Sequence, residues 1–203
     1  MTTTESAPGP LTEGPAGKLA VRSGVRTEVE ASRTETSQLF ANPDGTFTLE
    51  SSAAPVRARQ DDGSWAPIDT TLVAGTDGSV KARSTATRVQ FSGGGAGDDT
   101  VTLTKGARKV SLSWPDALPK PTLSGSTATY VNVLPDVDLK LTAAASGFTQ
   151  VLVVKTATAA KNPKLDKLTM AVRTANLKTL PGRDGGLRFV DTNGATVFDS
   201  PAG

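Results

Sequence analysis

Five times the chain sets an acidic or amide residue against glycine where an apolar–polar alternation begins or resumes: Asp44-Gly45, Asp62-Gly63, Asp77-Gly78, Asp184-Gly185 and Asn193-Gly194. This punctuation constrains the fold more than any other feature. Such pairs favour turns that need a positive φ, and those turns join neighbouring antiparallel strands. The segments between them alternate with a period of two. Phe47 and Leu49 share one side of a strand, with Thr46, Thr48 and Glu50 on the other. Val101 and Leu103 alternate with Thr, and Val110, Leu112 and Trp114 with Ser. Val137, Leu139 and Leu141 face away from Asp138 and Lys140. Short alternating segments at even spacing predict an all-β fold. The expectation is an antiparallel β-sandwich with many short hairpins and at most one short helix, a single turn around Asn162-Pro163.

The texture changes along the chain. Residues 1–30 are rich in Thr, Pro, Gly and Ala and poor in large apolar side chains. Such a segment buries too little surface to offset its ordering entropy, so it reads as a disordered or weakly ordered leader. A short helix or strand around Lys18 to Val25 is the most structure it suggests. Residues 31–203 read as the β-sandwich module. Because the sequence stops at Ser200-Pro201-Ala202-Gly203, directly after a strand, the module is expected to be truncated at its C-terminal end. Phe148 to Val154 is the most continuously apolar segment and is expected to be the central, buried strand. Ser92 to Asp99, SGGGAGDD, reads as a flexible loop, and Pro115 to Pro121 as a proline-broken crossing.

Several chemistries are absent by composition. There is no Cys and no His, which removes disulfides, Cys/His metal sites and Ser-His or Cys-His nucleophile pairs. A net charge of +2, spread thinly, is not the clustered basic face of a nucleic-acid binder. No apolar run is long enough to span a bilayer as a helix, so no membrane insertion is expected. The N-terminal stretch lacks the basic-then-apolar layout of a signal peptide, so a secreted form would begin after its signal. The acidic-glycine turns each offer one or two side-chain oxygens, too few for a Ca²⁺ loop, and read as turn chemistry. Asp98-Asp99 after the glycine run and Asp136 with Asp138 are the exceptions; Asp136 and Asp138 point to one side of a strand, where a solvated strand end outweighs a surface cation. No two carboxylates stand out as a hydrolase pair. The glycine run opens no helix and carries no Lys-Ser/Thr, so it is not a phosphate loop. No catalytic, cofactor-binding or metal-binding residue is assigned, and no cofactor is expected. The aromatics are scarce. Trp114 shares its face with Val110 and Leu112 and reads as core. Trp65 and Tyr130 are the candidate ligand or partner contacts, since sugar-binding sandwiches stack their ligands on exposed rings.

One long ordered set of residues carries a family likeness. Arg33, Thr34, Glu35, Ser37, Asn42, Asp44, Gly45 and Thr46 are followed by Pro55, Val56, Asp62, Gly63, Trp65, Ile68, Asp69 and Leu72. Phe91 to Gly95 and Leu112 to Lys155, with Tyr130 and Leu134-Pro135-Asp136-Val137-Asp138-Leu139 at their centre, extend it. The set resembles the amino-terminal β-module of large secreted or wall-associated bacterial proteins, many actinobacterial, that carry laminin-G-like, DNRLRE or YD-repeat (Rhs-type) domains downstream. The resemblance implies an extracellular or cell-wall location and a non-catalytic structural or interaction module. Its partners would be neighbouring domains of the same polypeptide. A carbohydrate-binding module contacting cell-surface glycan is the alternative, and a hydrolase domain ranks third. The resemblance carries no catalytic residues with it.

Overall fold

The computed structural model describes residues 9–97 and 99–201, the side chain of Asp184 excepted. Expectations for residues 1–8, Asp98 and residues 202–203 lie outside the described residues. The chain opens with helix α1 (Glu13–Ser23), then β1 (Thr27–Glu28), β2 (Ser37–Ala41), β3 (Phe47–Ser51), β4 (Arg57–Arg59), β5 (Trp65–Pro67) and β6 (Asp69–Ala74). It continues through β7 (Val80–Ser84), β8 (Arg88–Phe91), β9 (Val101–Lys105), β10 (Arg108–Ser113), β11 (Thr122–Ser124), β12 (Thr127–Leu134), β13 (Val137–Ala143) and β14 (Phe148–Val154). A one-turn helix α2 (Pro163–Asp166) leads to β15 (Ala171–Ala175), β16 (Lys178–Pro181), β17 (Leu187–Val190) and β18 (Thr196–Ser200). Every named strand pairing is antiparallel, and the fold is all-β.

Two sheets make the sandwich. One runs β15-β10-β9-β8-β7-β6 and the other β11-β12-β13-β14. Their inward residues form one core: Val89, Phe91, Val101 and Val110 from the first sheet meet Ala128, Tyr130, Leu139 and Leu141 from the second. Small sheets β16-β17-β18 and β4-β5 flank it, and Phe189 and Phe198 of the former join the same core. In β13 the alternation read from sequence is realised in full, with Val137, Leu139, Leu141 and Ala143 buried and Lys140 exposed.

Among the described residues one turn is built five times. Asn42–Thr46, Gln60–Ser64, Gly75–Ser79, Gly182–Gly186 and Asp191–Ala195 each close with the first residue's N–H donating to the last residue's carbonyl, at 2.7–2.9 Å. Glycine sits fourth in each, with φ between +81° and +84°. The acidic side chain turns back on its own loop. Asp44, Asp62 and Asp77 accept the N–H of Thr46, Ser64 and Ser79 at 2.9–3.1 Å. Asp-Gly therefore supplies conformation and a cap, as the sequence suggests. Asp138 is used locally too: it accepts the Asn132 N–H at 2.8 Å and pairs with Lys155 at 2.8 Å.

Three expectations are corrected. First, part of the expected leader is ordered: Glu13–Ser23 is a helix, overlapping the short helix or strand suggested around Lys18 to Val25. Glu13 lies in its first turn, Arg22 in its last, and Gly24 closes it at φ +68° by donating to the Ala20 carbonyl. Ala16 and Ala20, one turn apart, are buried against Val29 and Ala41 in a second, small cluster. Small residues can dock a helix closely, yet they leave little hydrophobic signal in the sequence. Second, β14 is not central. It is an edge strand, its burial alternates only weakly, and Val151 is 53% exposed. Its neighbour β13, with polar residues interleaved, is the buried one. In an antiparallel sandwich one face per strand meets the core, so alternation marks centrality better than a continuous apolar run.

Third, the glycine run is packed. Gly95 and Leu118 exchange backbone hydrogen bonds at 2.8 and 2.9 Å, forming an isolated bridge to the proline crossing. A Cβ on Gly94 would lie 2.9 Å from the Lys120 Cα. One on Gly93 would lie 2.8 Å from the Gly78 carbonyl carbon and closer still to its oxygen. Here glycine permits close backbone approach, which sequence cannot distinguish from flexibility.

Candidate functional site

The two aromatic candidates are not brought together on an open surface. Tyr130 is fully buried in β12, and its hydroxyl donates to the Ser92 carbonyl at 2.6 Å. Burial pushes that hydroxyl's pKa well above the usual tyrosine range. A buried ring offers no face to a sugar, so Tyr130 as a ligand contact is corrected to a core residue that anchors the glycine run. Trp65 is half-buried in the β4–β5 hairpin, with the Arg59 guanidinium 6.0 Å from its ring centroid. Its cross-strand partner is Arg59 itself, so one side of the ring already faces a cation. Trp114 is buried, as its face predicts.

Two concave surfaces stand out among the described residues. The first is a polar cleft of about 570 Å³ on the outer face of the six-stranded sheet. Arg88, Gln90, Thr102, Thr104 and Lys109 pave it, and Asp77–Ser79 and the glycine run rim it. Asp99 is its most engaged acid. It accepts from Ser113 at 3.2 Å and from Arg173 at 3.2 Å, and lies 3.6 Å from Lys109. Burial pushes its carboxyl up, but the hydroxyls of Ser111 and Ser113 and the charges of Lys109 and Arg173 outweigh this and hold it below the usual range. The cleft's charges are paired, Arg88 with Asp61 and Asp77 with Lys81, both of these partners lying outside the lining.

The second surface is an apolar groove of about 630 Å³ between α1 and β3. Its construction follows from register. In the sheet β1-β2-β3, Ala41 stands opposite Phe47 and Leu39 opposite Leu49, so all four side chains lie on one face. Helix α1 covers that face over β2, where Ala41 is buried. It stops short of β3, leaving Phe47 47% and Leu49 64% exposed, with Val21 of the helix 59% exposed across the groove. Gly17 faces the Phe47 ring, and a Cβ there would lie 3.9 Å from it. The opposite face of the small sheet is polar and locked. Arg33 holds Glu28 by two hydrogen bonds of 2.8 and 2.6 Å, and Gln38 adds a third at 3.0 Å. Those bonds, from Arg33 first, keep the Glu28 carboxyl below its usual range. Arg26 lies over the Phe40 ring at 3.6 Å and pairs with Glu50 at 2.7 Å.

Sequence reasoning identified the alternation of Phe47 and Leu49 but assigned neither a contact role. Whether that face is covered depends on α1, whose docking on Ala16 and Ala20 left no readable pattern. No family model, no curated protein and no solved structure matches the chain.

Proposed function

We propose that the chain is a non-catalytic interaction module of a secreted or cell-surface multidomain protein, and that the groove between α1 and β3 is its contact surface. The observation carrying this reading is an apolar face on which Phe47, Leu49 and Val21 stand exposed beside an uncovered strand edge. Exposed apolar surface of this kind, rimmed by polar residues, is characteristic of protein contacts. The family likeness, from about Arg33 to the end of the chain, supports the location and the modular role.

The test is a photo-crosslinking amino acid at position 49 in the cell that makes the protein, with the same probe at Thr149 as a control. Adducts from position 49 with polypeptide on the outer side of the membrane, absent from position 149, are the expected result. Adducts from neither position, or protein retained inside the cell, would remove the proposal.

A further inference from the structure

The open edge of β3 specifies more than a sticky surface. Asn42 N–H donates to the Thr46 carbonyl and Ser52 N–H to the Thr36 carbonyl, each at 2.8 Å. Antiparallel ladders alternate, so Thr46, Thr48, Glu50 and Ser52 turn their backbone groups toward β2. Phe47, Leu49 and Ser51 turn theirs to the open edge. Among the described residues no strand pairs with that edge. Edge strands are ordinarily guarded by charge or proline. In this molecule β4, β15 and β16 carry Arg57 and Arg59, Arg173, and Lys178 with Pro181, while β5 carries Pro67 and β18 Asp199. Of the other uncharged edges, β14 already packs Phe148 and Leu152 into the main core, and β11 is only three residues long, short edges being a protection in themselves. The single charge on β3, Glu50, is neutralised by Arg26.

We infer that the open edge of β3, beside the groove, is covered by a second copy of this chain, through antiparallel β3–β3 pairing about a two-fold axis at Leu49. The inference rests on the groove being a contact surface. In that register Leu49 stands opposite Leu49 of the second copy, Phe47 opposite Ser51, and Thr48 opposite Glu50. Every edge N–H and C=O from Phe47 to Ser51 then has a partner. The two three-stranded sheets become one continuous sheet, and the two α1 helices lie on its same face, flanking Phe47 and Leu49 of both copies. The arrangement is isologous, as closed dimers require. No like charges are left facing each other, because each Glu50 keeps its own Arg26. Residues 1–8, MTTTESAP, are the competing occupant, and they offer no pair of apolar residues at strand spacing to set against Phe47 and Leu49.

Sedimentation velocity on the full chain, from about 1 µM to about 500 µM, tests this in the range expected of a small interface. The expected mass rises with concentration from 20.8 kDa toward twice that value. Leu49→Lys puts a charge on the apolar face, and Leu49→Pro keeps an apolar side chain while removing an edge N–H that β2 does not use. Both are expected to abolish the rise, with unchanged circular dichroism showing that the fold is kept. A monomer at every concentration overturns the inference. So does a dimer indifferent to both changes, or one lost with Leu49→Lys alone, which would be apolar contact without strand pairing. A dimer formed only after residues 1–8 are deleted assigns the groove to those residues and likewise overturns it. If position 49 crosslinks to a different polypeptide while the chain stays monomeric, the contact-surface reading stands and only the two-fold pairing falls.

Discussion

Replacing Gly93 by alanine distinguishes a packed glycine run from a mobile one. The added methyl would lie 2.8 Å from the Gly78 carbonyl carbon, and nearer to its oxygen. Non-bonded carbons normally rest about 3.5–4.0 Å apart, so the carbonyl carbon alone requires the two backbones to separate by roughly 1 Å, and the nearer oxygen requires more. Neither yields freely. The Ser92 N–H donates to the Thr100 carbonyl at 3.0 Å and the Ser92 carbonyl accepts from Tyr130 at 2.6 Å, while the Gly78 N–H closes its turn onto the Gly75 carbonyl at 3.2 Å. Overpacking costs about 1–3 kcal/mol where side chains can give way; with backbone on both sides the upper end applies, about 3 kcal/mol. For a domain of this size that lowers the melting temperature by roughly 6–12 °C. Gly147→Ala is the control: its Cβ would meet nothing within 4 Å and its φ is ordinary, so the change should stay within about 0.5 kcal/mol. Urea unfolding followed by tryptophan emission, with equal slopes for both variants, gives the comparison. Equal stability of the two variants would refute the packing argument and restore the flexible loop.

Further outcomes follow from the same geometry. Tyr130→Phe strands the buried Ser92 carbonyl and should cost about 1–3 kcal/mol in urea unfolding, although the ring volume is kept. Gly17→Ala should stabilise the chain by about 0.5–1 kcal/mol, since it removes a helix-interior glycine and its methyl meets Phe47 at an ordinary 3.9 Å. Stability should be flat between roughly pH 5.5 and 8, because the sequence has no histidine, and should fall below about pH 4. The sign follows from Glu28 and Asp99, whose folded pKa values are lowered: their contribution is complete above the unfolded pKa and is lost as pH drops through the folded one. Glu28→Gln should reduce the size of that acid loss, as read from urea midpoints at pH 7 and pH 3.

The parts of the fold legible in the sequence are those fixed by local rules. Five such turns recur with glycine at positive φ, and each could be located because only Gly, Asn or Asp tolerates that conformation cheaply. Strand β13 could be read because its period of two matches a sheet with one buried face. The illegible parts depend on distant partners. Ala16 and Ala20 dock α1 through smallness, which composition scores as weakly apolar. Gly93 is set by a carbonyl in a different hairpin. Tyr130 is set by Ser92, far away in sequence. The apolar run of β14 misled because strand order depends on connectivity, and the chain leaves that sheet immediately after it.

The candidate site was illegible for a related reason, and comparing β3 with β13 shows why. Both strands alternate apolar and polar residues. In β13 the apolar side meets a second sheet across a shared core, and every residue on it is buried. In β3 the same alternation faces a single helix that sits over β2, and all five residues stay exposed. Alternation thus specifies that a strand has an apolar face, while the number of elements available to cover it decides whether that face becomes core or contact surface. The small sheet has one helix for three strands, and the uncovered strand lies at an edge whose sole charge is already paired. An apolar face and an unguarded edge on the same strand would both be satisfied by one added antiparallel strand, which is why the proposed contact lies at Phe47, Leu49 and Ser51 rather than at the tyrosine or the acidic turns.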